Sequence, residues 1–137
     1  MRVVLDTNVF ISGVFFSGPP AQVLAAWRDG LIVPVLSAEV LDEYRRVAAI
    51  LGSDHPEIEL APLLALLTVH SELVAAPPLP EPVTADRDDD VFLACAIAGR
   101  VRTIISGDRH LLSVSGWNGV RVVTPRRFVD EILRTLR

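Results

Sequence analysis

Four short runs of apolar and β-branched residues stand out along the chain: Arg2–Leu5, Leu31–Leu36, Arg102–Ile105 and Gly119–Val123. They predict strands. Each run is continuous rather than alternating, which suits strands covered on both faces, as in a parallel sheet. Helical spacing fills the intervals. Pro19-Pro20 opens a helix through Val23, Leu24 and Trp27 that Gly30 ends. Ser37 is an N-cap for a second, with apolar positions at Val40, Leu41, Tyr44, Val47, Ala48 and Leu51. A third is predicted from about Pro56 to Leu67, including Ile58, Leu60, Ala61, Leu63 and Leu64. A fourth starts in the acidic stretch Asp86–Asp90 and runs to Gly99. Pro125 opens the last, with Phe128, Val129, Ile132, Leu133 and Leu136 spaced to pack on the body. Alternating strands and helices predict an α/β sandwich of three layers around a mainly parallel sheet.

The proline-rich stretch Ala75–Pro82 resembles a linker in composition, but the segments beside it are too small to fold separately. It reads as a loop within one domain spanning residues 1–137. A chain of 137 residues, 50% hydrophobic and 22% charged, is ordinary for such a domain. No apolar run approaches the roughly 20 residues that cross a bilayer, and MRVVLDTNVF lacks the pattern of a signal peptide. A cytoplasmic protein with no membrane partner is expected. The single cysteine, Cys95, excludes an internal disulfide, and its apolar surroundings suggest a buried small hydrophobe. The net charge of −4 is unusual for a nucleic-acid binder, yet clustered carboxylates that hold cations would reconcile the two. All 13 basic residues are arginine, which suits phosphate but also fits a general compositional bias.

In open parallel sheets, sites form beyond the carboxyl ends of the strands. Asp6-Thr7-Asn8 follows the first strand, Ser37 the second, Ser106-Gly107-Asp108 the third and Thr124 the fourth. Asp6 and Asp108 could each simply cap a turn or helix. Glu43 lies mid-helix, too far along to serve the helix dipole as Glu39 does, although Arg45 and Arg46 could make it a surface charge. Asp86-Arg87-Asp88-Asp89-Asp90 goes beyond what helix capping uses, and like charges so close call for a cation. Mg2+ and Mn2+ favour carboxylate oxygen and water. Acids from separate segments meeting at one sheet edge would therefore hold a metal suited to phosphodiester hydrolysis.

The order of these acids resembles the PIN domain. The matching residues are Leu5-Asp6-Thr7-Asn8-Val9, Ser37-x-Glu39-x-x-x-Glu43, Asp89 with Ala96 seven residues on, and Ser106-Gly107-Asp108. The closing Val123-Thr124-Pro125-x-x-Phe128 is similar to the variant in prokaryotic toxins of toxin–antitoxin pairs, relatives of the VapC-type toxins. The resemblance implies five parallel strands, with Leu73–Ala75 the candidate for the fifth, and a metal-dependent ribonuclease. Asp6, Asp89 and Asp108 would be the main ligands of Mg2+ or Mn2+. Glu43 would hold a ligand water or a second metal, and Asn8 or Ser106 would support the shell. Asp86, Asp88 and Asp90 compete for the third position, where spacing to Ala96 favours Asp89. The resemblance also implies an RNA substrate, a cognate antitoxin and a homodimer, for which Val14-Phe15-Phe16 is a candidate surface if it is not core.

Three rival enzymes or switches fit less well. A haloacid-dehalogenase-type phosphatase needs an aspartate where Asn8 stands, a response-regulator receiver relies on a lysine, and dinucleotide binding needs a Gly-x-Gly-x-x-Gly turn. A housekeeping RNA-processing nuclease, or a non-catalytic module that binds RNA or a partner, remains the alternative. Loss of acids would favour the non-catalytic reading, and all four are present.

Overall fold

The structure, a computed structural model, describes residues 1–56 and 59–137. Its strands are β1 (Arg2–Leu5), β2 (Val33–Leu36), β3 (Glu72–Leu73), β4 (Thr103–Ile105) and β5 (Arg121–Val123). They form one parallel sheet in the order β3-β2-β1-β4-β5. β1 spans its predicted run, while β2, β4 and β5 start one or two residues later than theirs. The candidate Leu73–Ala75 is observed as β3 at Glu72–Leu73, starting one residue earlier and ending two residues earlier.

Both faces of the sheet are covered. Within β1, Val3 and Leu5 belong to one hydrophobic cluster and Val4 to the other, so the alternation of a strand feeds two cores. This explains the continuous apolar run. One face carries α3 (Ala38–Asp54), α4 (Ala61–Val69) and α5 (Arg87–Gly99), through residues such as Tyr44, Leu64 and Phe92. The other carries α2 (Pro19–Arg28) and the C-terminal helix, through Val23, Ala26, Phe128 and Leu133. That last helix begins as α7 (Pro125–Arg127), continues through a π-helical stretch (Phe128–Leu133) and ends as α8 (Arg134–Leu136). No single helix among the described residues is long and apolar enough to cross a membrane.

Helix boundaries follow local chemistry. The Ser37 hydroxyl accepts from the Val40 amide at 3.1 Å and starts α3, and the Thr124 hydroxyl accepts from Arg127 and starts α7. α5 ends at Gly99, as expected, and Arg100 after it takes the left-handed conformation at φ 55°. Gly99 permits close packing, since a Cβ there would lie 2.9 Å from Cγ1 of Val35.

Two helical expectations need correction. The third predicted helix starts at Ala61 rather than Pro56, because α3 runs on to Asp54 before the turn; Ile58 lies outside the described residues. The segment after β1 is a helix, α1 (Thr7–Phe15), for which the sequence pattern predicted no element. Val9 of α1 enters one core and Phe10 and Ile11 the other, so α1 straddles the carboxyl edge of the sheet. The Val14-Phe15-Phe16 run divides: Val14 and Phe15 pack against the core and Phe16 is 70% exposed.

Candidate metal centre

The strand order places β1 and β4 side by side in the middle of the sheet, where successive connections leave in opposite directions. A crevice forms at the carboxyl ends of such strands. The register sets Val4 beside Ile104 and Leu5 beside Ile105. One residue further on, the Asp6 amide donates to the Ile105 carbonyl at 3.0 Å and the Ser106 amide to the Val123 carbonyl at 2.9 Å. Asp6 and Ser106 are thereby fixed as neighbours. The Ser106 hydroxyl, wholly buried, donates to Oδ2 of Asp6 at 2.6 Å and accepts from the Asp108 amide at 2.9 Å. A single hydroxyl ties the first acid to the loop that carries the fourth.

Asp108 precedes the short helix α6 (Arg109–Leu112), and its Oδ1 accepts from the His110 amide at 2.7 Å. The cap reading and the site reading of Asp108 therefore hold together. The first turn of α5 brings in Asp89. Nδ1 of His110 lies 3.6 Å from Oδ2 of Asp89 and 3.8 Å from Oδ1 of Asp108. Asp89, Asp108 and His110 each offer a ligand atom within 4.8 Å of the others.

The acidic run separates into distinct roles. Asp86 caps α5 by accepting from the Asp88 amide at 2.9 Å. Asp90 turns away from the crevice and accepts from the Val83 and Thr84 amides and the Thr84 hydroxyl, pinning the end of the proline-rich loop to α5. Asp88 is exposed. Asp89 alone of the four is buried, at 9% exposure, and its Oδ2 has no hydrogen-bond partner. The same α5 face as Asp90 also borders a cavity of about 360 Å³ with Arg87, Val91 and Ala94, away from Asp89.

Electrostatics marks the same place. Burial and then the charges of Asp108, Asp6 and Asp86 push the Asp89 carboxyl up to about 6, against a smaller opposing effect of His110. Asp6 is also raised, chiefly by burial and with Asp108 adding to it; Ser106 and the amides of Thr7 and Asn8 act in the opposite direction. Among the described residues, Asp89 Oδ2 is the buried carboxylate oxygen without a partner. An orphaned buried oxygen among mutually repelling acids is what a cation would satisfy, so these residues fit a divalent metal.

Glu43 stands apart. Arg46 grips both its oxygens, at 3.1 and 2.9 Å, and Glu43 is not in the close group of ligand atoms. The side chain is 17% exposed, and Arg46 also feels Asp88 and Asp86, so this pair faces the start of α5. Asn8 is exposed at the start of α1, beside Asp6.

Sequence reading missed two contributors. Tyr44 counted only as core, yet its hydroxyl donates at 2.5 Å to the carbonyl of Leu5, the residue before Asp6, while its ring stacks on Phe10. It locks α3 and α1 around the end of β1. His110 was not among the candidate residues. The signal available was its position two residues after Asp108, which becomes informative only once α6 is known to turn there.

An acidic crevice at the carboxyl edge of a parallel sheet suits a metal-dependent hydrolase. Residues 2–110 match the PIN domain family, and the chain belongs to that family. PIN domains are generally metal-dependent nucleases. The chain is also similar to an uncharacterized protein of Methanocaldococcus jannaschii, 28% identical over 148 residues that cover 96% of this chain and 91% of that one. No solved structure matches it.

Proposed function

We propose that this protein is an endoribonuclease that uses Mg2+ or Mn2+ to hydrolyse RNA, and that it is the toxin of a toxin–antitoxin pair. The observation that carries the nuclease reading is the buried, unpartnered Oδ2 of Asp89 beside Asp6 and Asp108. Asp6, Asp89 and Asp108 would hold the cation, which supplies water activation and stabilises the leaving oxygen when bound. Ser106 keeps Asp6 oriented by donating to its Oδ2. Glu43 would support a ligand water or a second metal, and Arg46, which pairs with Glu43, would contact phosphate. The toxin role rests on the resemblance of the closing Val123-Thr124-Pro125-x-x-Phe128. It brings with it a cognate antitoxin, a homodimer and a cytoplasmic setting.

Purified protein incubated with a panel of structured RNAs tests the activity. Cleavage should require Mg2+ or Mn2+, stop in chelator and vanish in Asp89→Asn. Equal cleavage by Asp89→Asn would remove the reading. Induced expression should arrest growth, and co-expression of the neighbouring small gene should restore it. Unimpeded growth under induction of protein with proven nuclease activity would leave housekeeping RNA processing in the toxin's place.

A further inference from the structure

We propose that His110 is itself a metal ligand, so that the centre is a mixed oxygen and nitrogen site that favours transition metals over Mg2+. The inference rests on the metal-site reading above and extends it to a residue outside the acidic motif. Its geometric ground is the placement of Nδ1, 3.6 Å from Asp89 Oδ2 and 3.8 Å from Asp108 Oδ1. Ligands about 2.1 Å from a common ion lie roughly 3 Å apart when adjacent and about 4.2 Å apart when opposite. Both separations fall between those limits. The second ground is burial: Asp89 is 9% exposed, and the oxygen that faces His110 has no hydrogen-bond partner.

The backbone prepares the imidazole for this task. The His110 amide is held by Asp108, so the side chain leaves from a fixed first turn of α6 and returns over the carboxylate that caps it. The ring is 45% exposed and reachable by an incoming ion. Imidazole suits transition metals, whereas Mg2+ takes oxygen donors and sheds water reluctantly. Exchanging one oxygen position for nitrogen therefore separates Mn2+ from Mg2+ at a site whose carboxylates alone serve both.

The test uses the whole chain, Mn2+ and Mg2+ as probes, and the variants His110→Gln and His110→Ala. Because the Asp108 cap uses the backbone amide, both variants keep it, and apo melting confirms that they fold. Titration calorimetry should show Mn2+ affinity falling by about 10-fold or more in the variants, with Mg2+ affinity changing far less. Pulsed electron paramagnetic resonance of the bound Mn2+ should show a directly bonded nitrogen that disappears in both. Mn2+ that binds with no nitrogen coupling, or an unchanged Mn2+ to Mg2+ ratio, overturns the ligand role while leaving the acidic site intact. Tighter metal binding in the variants also overturns it, because His110 would then be a cation occupying the metal's place. Failure of the parent to bind either ion removes the acidic site along with the ligand.

Discussion

The two ends of the sheet treat their charges in opposite ways. At the strand starts, Arg2 of β1 and Glu72 of β3 form a two-pronged pair at 2.7 and 2.8 Å, in which each charge is answered and Glu72 is held below its ordinary range by Arg2. At the carboxyl ends, Asp6, Asp89 and Asp108 gather with like sign, and the buried Oδ2 of Asp89 has no hydrogen-bond partner. A fold selected only for stability would treat both ends as it treats the first. The second end keeps a repulsion that the rest of the fold must hold in place, the usual mark of a binding centre.

The sharpest way to break the contrast is to remove the buried charge. Asp89→Asn keeps the side chain's shape and ends the repulsion with Asp6 and Asp108. RNA cleavage should fall by at least about 100-fold, since a ligand to a catalytic metal contributes several kcal/mol to the transition state. Apo melting should move the other way and rise by about 3–8 °C, from on the order of 1–2 kcal/mol of relieved strain. An apo melting temperature equal to or below the parent's would mean that the acids are not crowded in solution.

Ser106→Ala tests the scaffold beneath the acids. The hydroxyl is wholly buried and serves Asp6 and the Asp108 amide together, so its loss removes a hydrogen bond from each. Stability should drop by about 1–3 kcal/mol, and Mn2+ affinity by about 10–100-fold through the misplaced acids. Loss of stability with unchanged Mn2+ affinity would confine Ser106 to a structural part.

Much of this layout could be read in advance, and the exceptions share a cause. β1, β4 and β5 showed as continuous apolar runs because strands buried on both faces have no polar side. The separate acids converged because the register of parallel neighbours carries Asp6 and Ser106 to the same rung. α1 did not show, since Thr7–Phe15 feeds both cores and only Asn8 and Ser12 mark a polar side. Within Asp86–Asp90, spacing singled out Asp89, but the tasks of Asp86 and Asp90 depend on where the chain turns at Thr84. The pairing of Glu43 with Arg46 is a choice between two arginines that sequence alone leaves open. His110 needed the turn of α6 before its proximity to Asp89 had any meaning.

The pH dependence of the metal-free protein follows from Asp89. Its folded value near 6 lies above the ordinary 3.8, so the folded chain binds the proton more tightly than the unfolded chain. That stability is fully present below pH 3.8 and is lost as the pH rises through about 6. Asp6, also raised, acts in the same sense. The melting temperatures of the parent and Asp89→Asn should therefore be close at pH 4 and diverge toward pH 7, with the variant higher. Saturating Mn2+ should reverse that order at pH 7, because the ion binds the folded parent and takes over from the missing proton. A gap independent of pH would show that relief of charge is not what separates the two proteins.

The smallest effect belongs to the other end of the sheet. Arg2 and Glu72 are 39% and 44% exposed at the side chain, and an ion pair in that setting is weakened by water and salt. Glu72→Gln should lower the melting temperature slightly in dilute buffer and leave it at the parent's value in 1 M salt. Mn2+ binding and RNA cleavage should both be unchanged, since the pair joins strand starts and takes no part in the crevice. A loss of Mn2+ affinity in Glu72→Gln would show that the two ends of the sheet are coupled, and the contrast between a settled end and a strained one would then have to be replaced by a single charge network running along β1.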